Sequence, residues 1–188
     1  KNLIFTAIHE IIIIFKHQKL LKMTSNIPNF KCITIGDGST GKTTLVRRLL
    51  SETTVSKVKF SRNQFIYPII FSTNLGTIAF EIHDLDGRDM LFTARDSFFR
   101  NADCALIMFD VTSHSSFDNI HYWHRKLMNT RGPIALCGNK ADIKSRKVTL
   151  HEIKQSWGKR LKYFDISAKA KVSINEPFLF LAEKLMNK

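Results

Sequence analysis

Hydrophobic and polar positions follow two rhythms along this chain. Short apolar runs of strand character fall at residues 30–35, 64–72, 77–84, 104–110, 133–138 and 161–166. Between them, apolar residues at helical spacing mark 41–50, 90–100, 115–129, 150–157 and 174–186. Thr73-Asn74-Leu75-Gly76 separates the second and third runs as a hairpin turn would. Residues 104–110 (CALIMFD) show no alternation, which is the pattern of a strand covered on both faces. Strands interleaved with helices predict an α/β domain. Its sheet would have six strands, mostly parallel with one antiparallel edge, flanked by about five helices. A ligand would then sit at the carboxyl ends of the strands.

The first 24 residues differ from the rest. Residues 2–15 read NLIFTAIHEIIIIF and are followed by Lys16, His17, Lys19 and Lys22. The uninterrupted run 11–15 is too short to span a bilayer, which takes about 20 residues. A signal-anchor lacking a small-residue cleavage site, an amphipathic surface helix, and a non-native or fragmentary leader before Met23 all remain open; the last is favoured. The domain itself is expected over 25–188.

A length of 188 residues means one domain, with or without a tail. A hydrophobic content of 44% excludes a wholly disordered chain. Three cysteines at wide spacing, with no CxxC pair, argue against a disulfide framework or a thiolate zinc site and fit a reducing compartment. The net charge of +13 favours an acidic partner: nucleic acid, an anionic membrane, an acidic protein face or a polyphosphate. It does not choose among them.

Four motifs choose. Gly36-Asp37-Gly38-Ser39-Thr40-Gly41-Lys42-Thr43 matches G-x-x-x-x-G-K-[ST] between a strand and a helix. Its glycines let backbone N–H groups face phosphates, and the helix start adds the positive end of its dipole. Lys42 would reach the β- and γ-phosphates, and the Thr43 hydroxyl would ligate Mg²⁺. Asn139-Lys140-Ala141-Asp142 follows a strand. A carboxylate at Asp142 accepts from the guanine N1–H and N2–H₂ edge, a donor pair that adenine lacks, so the wrong base would leave buried groups unpaired. The Lys140 stem would lie along the base plane. The loop Ser167-Ala168-Lys169 offers backbone N–H to the guanine O6. Asp84-Leu85-Asp86-Gly87 gives D-x-x-G at a strand end, with Asp84 toward Mg²⁺ through water and the Gly87 N–H toward the γ-phosphate.

The combination resembles the small Ras-like GTPases, and within them the Ran family of nuclear-transport GTPases. The likeness spans about residues 30–186. It rests on the strings at 36–46 (GDGSTGKTTLV), 105–113 (ALIMFDVTS), Trp123-His124-Arg125, 136–147 (LCGNKADIKSRK) and 163–169 (YFDISAK), then Glu176-Pro177-Phe178-Leu179. The resemblance implies GTP and GDP as ligands with Mg²⁺, and hydrolysis of GTP. It implies importin-β-type transport receptors, an exchange factor and a GTPase-activating protein as partners. It further implies a monomer distributed between nucleus and cytoplasm, with no nucleic acid bound. It adds Thr44 to the nucleotide contacts and, by alignment of Tyr67-Pro68 and Phe71, puts Ser61 where a Mg²⁺-binding Thr is usual.

The sequence departs from that pattern at several points. Asp84-Leu85-Asp86-Gly87-Arg88 stands where the family has D-T-A-G-Q. Arg88 replaces the Gln that orients the attacking water, and a guanidinium has donors but no acceptor. Asp86 replaces a small residue beside the γ-phosphate. Two like charges at roughly 5 Å and an effective dielectric constant of ~20 repel by on the order of 3 kcal/mol. Slow intrinsic hydrolysis follows, with a degenerate, non-cycling nucleotide-binding scaffold as the alternative. Ser39 replaces a P-loop Gly, while Gly38 is kept. The stretch 51–64 is long enough for a functional loop and matches the family poorly. No C-terminal Cys is present for a prenyl anchor, and the acidic tail of the Ran family is not in the sequence. Lys159, Arg160 and Lys162 form a basic patch that is either a partner contact or a solvated face. His121 and His124 lie three apart on a helix and suit surface or packing roles better than half a metal site. Phe98, Phe99 and Phe109 are expected in the core.

Overall fold

A computed structural model describes residues 27–52, 59–61, 64–84, 99, 101–128, 130 and 132–187. In chain order the elements are β1 (Asn29–Ile35), α1 (Lys42–Glu52), β2 (Lys59–Ser61), β3 (Gln64–Thr73), β4 (Gly76–Asp84), β5 (Cys104–Asp110), α2 (His114–Asp118), α3 (Ile120–Lys126), β6 (Ile134–Asn139), α4 (Leu150–Trp157), β7 (Lys162–Asp165) and α5 (Glu176–Met186). The helix expected at 90–100 lies outside the described residues, apart from Phe99, which is buried.

The sheet runs β2-β3-β4-β1-β5-β6-β7. From β4 to β7 every pairing is parallel; β4 with β3 and β3 with β2 are antiparallel. The six expected strands are all present. The addition is β2, three residues with Ser61 opposite Gln64, which prolongs the antiparallel edge within the stretch read as loop. The β3–β4 hairpin closes where Thr73 Oγ1 donates to the Gly76 carbonyl at 2.7 Å and accepts from the Leu75 N–H at 3.1 Å.

Successive strand residues point to opposite faces, so the sheet feeds two cores. On one face, Cys32, Leu106 and Met108 pack with Leu45, Val46 and Leu49 of α1 and with Phe178, Leu181 and Leu185 of α5. Phe178 stacks on Phe71 at 5.1 Å between ring centroids. On the other face, Ile33, Ile107 and Phe109 pack with Phe117, Ile120, Trp123, Ile153 and Trp157 from α2, α3 and α4. All seven residues of β5 are buried, which accounts for its unbroken apolar run. Cys32 lies opposite Cys104 in the β1–β5 register, Cys137 lies in β6, and all three thiols are free and buried in the first of these cores.

The single helix expected at 115–129 is two helices that meet at Asn119 and end at Lys126. The apolar stripe Phe117-Ile120-Trp123-Leu127 runs through both, which is why the periodicity reads as one. Beyond Lys126 the Leu127 and Met128 N–H groups turn to carbonyls three residues back, a tighter winding that stops the α-helix. Helix α4 begins with a capping box, Thr149 Oγ1 accepting from the Glu152 N–H and the Glu152 carboxylate accepting from the Thr149 N–H. No described helix is long and apolar enough to cross a membrane.

Candidate functional site

The carboxyl ends of β1, β4, β5 and β6, and the loop after β7, bring the sequence motifs to one edge of the sheet. Residues 36–41 curl between β1 and α1. Gly36 takes φ of +142°, and a β-carbon there would fall 2.0 Å from the Met108 carbonyl oxygen. Gly41 takes φ of +98°, and a β-carbon there would meet Asn139 Nδ2 at 2.2 Å. Both positions therefore exclude side chains twice over, by conformation and by space. Gly38 faces open space instead. Ser39 holds φ of +63°, a left-handed conformation that an L-residue adopts at a cost.

Lys42 is buried at the foot of the loop. Its Nζ donates to the Gly36 and Asp37 carbonyls, each at 2.7 Å. Thr40 Oγ1 donates to the Asp37 carbonyl at 2.9 Å. Next to Lys42, Thr43 Oγ1 donates to Asp84 Oδ2 at 2.6 Å, so the hydroxyl and the carboxylate share one spot. Two hard oxygen donors side by side suit a divalent cation such as Mg²⁺.

Asn139 is the joint of the site. It is 3% exposed; its Nδ2 donates to the Thr40 carbonyl at 2.7 Å and its Oδ1 accepts from the Ala168 N–H at 2.9 Å. One side chain thus fastens the phosphate-type loop to the loop after β7. Ser167 Oγ donates to Asp142 Oδ1 at 2.6 Å and accepts from the Ala170 N–H at 2.9 Å. Between these loops lies a cavity of about 250 Å³ lined by Ser39, Gly41, Thr44, Asn139, Lys140, Asp142, Ile143, Ala168 and Lys169. Eight of these nine are residues given a site role from the sequence; Ile143 is the addition.

Several of the contacts that hold the site gave no signal in the sequence. Lys140, at φ of +67°, pairs its Nζ with Asp110 Oδ2 at 2.5 Å. Burial works to raise the Asp110 carboxyl, but hydrogen bonds from Lys140 and Thr112 outweigh it and hold the group below its ordinary value. Arg146 forks onto Asp165 at 2.8 and 2.9 Å and also donates to Tyr163 Oη at 3.0 Å and the Val148 carbonyl at 2.6 Å. Tyr163 in turn donates to Asp165, and burial together with that carboxylate pushes its phenol up. This knot closes the return from Asp142 to β7 under Gly138, where a β-carbon would meet Tyr163 Oη at 2.3 Å.

Gly87 and Arg88, with Asp86, lie outside the described residues, and Ser61 is described in its backbone alone. His121 and His124 lie against the Trp157 ring at 4.6 and 5.3 Å, a packing arrangement. Phe99 and Phe109 are core residues; Phe98 lies outside the described residues. The basic patch borders a second, larger depression of about 550 Å³ between α4 and β7, rimmed by Lys154, Lys159, Arg160 and Lys162.

Residues 31–187 match the family model of the Ras family, and the chain belongs to that family of small GTP-binding GTPases. Its members bind GTP and GDP, typically with Mg²⁺, and are generally served by exchange factors and GTPase-activating proteins.

Proposed function

We propose that this chain is a Ran-like guanine-nucleotide switch that displays its nucleotide state to transport receptors of the importin-β type, in nucleus and cytoplasm. The observation that supports nucleotide binding most is the pair of hydrogen bonds that joins Asn139 to Thr40 and to Ala168, which gathers three motifs around one cavity. The N–H groups of residues 36–44 and Lys42 Nζ would hold the phosphates. Asp142 would accept from the guanine edge, with the Lys140 stem along the base and the Lys169 N–H toward its O6, the Ala168 N–H being held by Asn139. Thr43, Ser61 and Asp84 would hold Mg²⁺, which when bound neutralises charge on the β- and γ-phosphate oxygens. The Gly87 N–H would sense the γ-phosphate. The cationic rim Lys154, Lys159, Arg160 and Lys162 would meet acidic receptor surfaces.

Hydrolysis would be slow, because Arg88 has no acceptor for the attacking water and Asp86 adds negative charge near the γ-phosphate. A second reading, a non-cycling scaffold, draws on the same altered segment 84–88. Chromatography of the nucleotide released by EDTA from the purified chain tests both. GTP in excess supports a switch with crippled hydrolysis. GDP in excess favours a working switch and counts against the crippling, and the absence of both nucleotides moves the weight to the non-cycling scaffold. In single-turnover assays Arg88→Gln should raise the hydrolysis rate at least about tenfold, since water positioning carries much of phosphoryl transfer.

A further inference from the structure

The second residue of the phosphate-type loop is held from outside that loop. Asp37 Oδ1 accepts from the Trp123 indole Nε1–H at 2.7 Å, and Asp37 Oδ2 accepts from Asn119 Nδ2–H at 2.7 Å. The two donors are four residues apart, one turn on the same side of the helical segment. Asn119 is the residue where α2 passes into α3, and Trp123 is 5% exposed within the core beneath. The Asp37 backbone carbonyl meanwhile accepts from Lys42 and Thr40 inside the loop. One residue is therefore gripped on both sides: its carbonyl by the loop, its carboxylate by the α2–α3 joint.

Phosphate binding does not itself require a carboxylate at this position, and a loose negative charge one residue before Gly38 would repel phosphate. Two hydrogen bonds to an ionised acceptor fix that charge toward α3 and away from the open side of Gly38. We propose that Asn119 and Trp123 are positioning residues for nucleotide binding. They set the Asp37 side chain, and with it the turn from Gly36 to Gly38, and they make the Trp123 indole N–H a reporter of that turn. The proposal rests on the guanine-nucleotide reading above.

The test uses the full chain loaded with the fluorescent analogue mant-GDP, together with the ¹H–¹⁵N signals of the two tryptophan indoles. Those signals should separate well, because the buried Trp157 Nε1–H has no hydrogen-bond partner among the described residues while that of Trp123 meets a carboxylate. Asp37→Asn turns an amide donor toward the Asn119 donor, and Asn119→Asp sets two carboxylates face to face. Each alone should speed mant-GDP dissociation about tenfold, as expected for losing a hydrogen bond to a charged group. The double variant, Asp37→Asn with Asn119→Asp, exchanges donor and acceptor and keeps the charge. It should return the rate to within about twofold of the unaltered chain and restore the Trp123 indole signal. Single variants that move the indole signal without changing dissociation overturn the proposal, as does a double variant that stays fast. If the unaltered chain fails to retain mant-GDP, the nucleotide reading falls first and takes the proposal with it, before any variant is made.

Discussion

Thr43 Oγ1 donates to Asp84 Oδ2 across 2.6 Å, so the first turn of α1 and the end of β4 offer two oxygen ligands at one point. If Mg²⁺ sits there with the nucleotide, EDTA should accelerate GDP release at least about tenfold. Asp84→Asn should shrink that acceleration in a mant-GDP dissociation assay. An equal response to EDTA in variant and unaltered chain would remove Asp84 from the ligand set.

Asn139→Ala should cost about 2 kcal/mol of folding stability, because it strands a buried carbonyl at Thr40 and a buried N–H at Ala168. Urea unfolding measures this. Asp142→Ala takes the acceptor from the buried Ser167 hydroxyl and should cost about 1 kcal/mol of stability, less than Asn139→Ala, while erasing the preference for GDP over ADP in competition binding. A selectivity that survives Asp142→Ala would separate the loop's structural part from its proposed recognition of the base.

Ser39→Gly should stabilise the chain by up to about 1 kcal/mol, since the left-handed conformation at φ of +63° costs a side chain and not a glycine. Thermal unfolding followed by circular dichroism would register the gain. A drop in melting temperature would mean that the serine side chain earns its place through a contact worth more than the strain.

His83 predicts how stability depends on pH. Burial, helped by nearby Lys31 and opposed by Glu81, pushes its imidazole down from 6.5 to about 4. The unfolded chain takes up that proton near pH 6.5 and the folded chain only near 4. The folded state is therefore favoured fully above 6.5 and, with solvent screening of the imidazole included, loses on the order of 2 kcal/mol as pH falls from 6.5 to 4. His83→Gln should flatten this part of the curve of unfolding free energy against pH. An unchanged slope would assign the loss to other groups.

The sequence made some of this legible and not the rest, for identifiable reasons. Strand β5 was readable because both its faces are covered, and the β3–β4 hairpin because Asn74 and Gly76 mark a turn. The 36–43 and 139–142 motifs were readable because their spacing serves one chemistry. Strand β2 was not, since Lys59-Phe60-Ser61 is too short to show a period. The joint at Asn119 was hidden by an apolar stripe that runs unbroken through it. The knot of Arg146 with Tyr163 and Asp165 joins residues whose types suit any surface, and three-dimensional proximity alone unites them. Asp37 occupies a position that the phosphate motif leaves open, so its two outside partners carried no signature.

The three cysteines have a use that their chemistry at first conceals. Burial raises the thiols of Cys104 and Cys137, and only a thiolate attacks the disulfide of a thiol reagent. Cys32, Cys104 and Cys137 line one side of adjacent central strands, so no small local opening frees them singly. Under native conditions, disulfide-exchange reagents should therefore modify all three together, at the pace of whole-domain opening. The sheet carries a built-in clock for its own unfolding, and the slowing of that clock by added GDP would weigh ligand affinity without any label on the ligand.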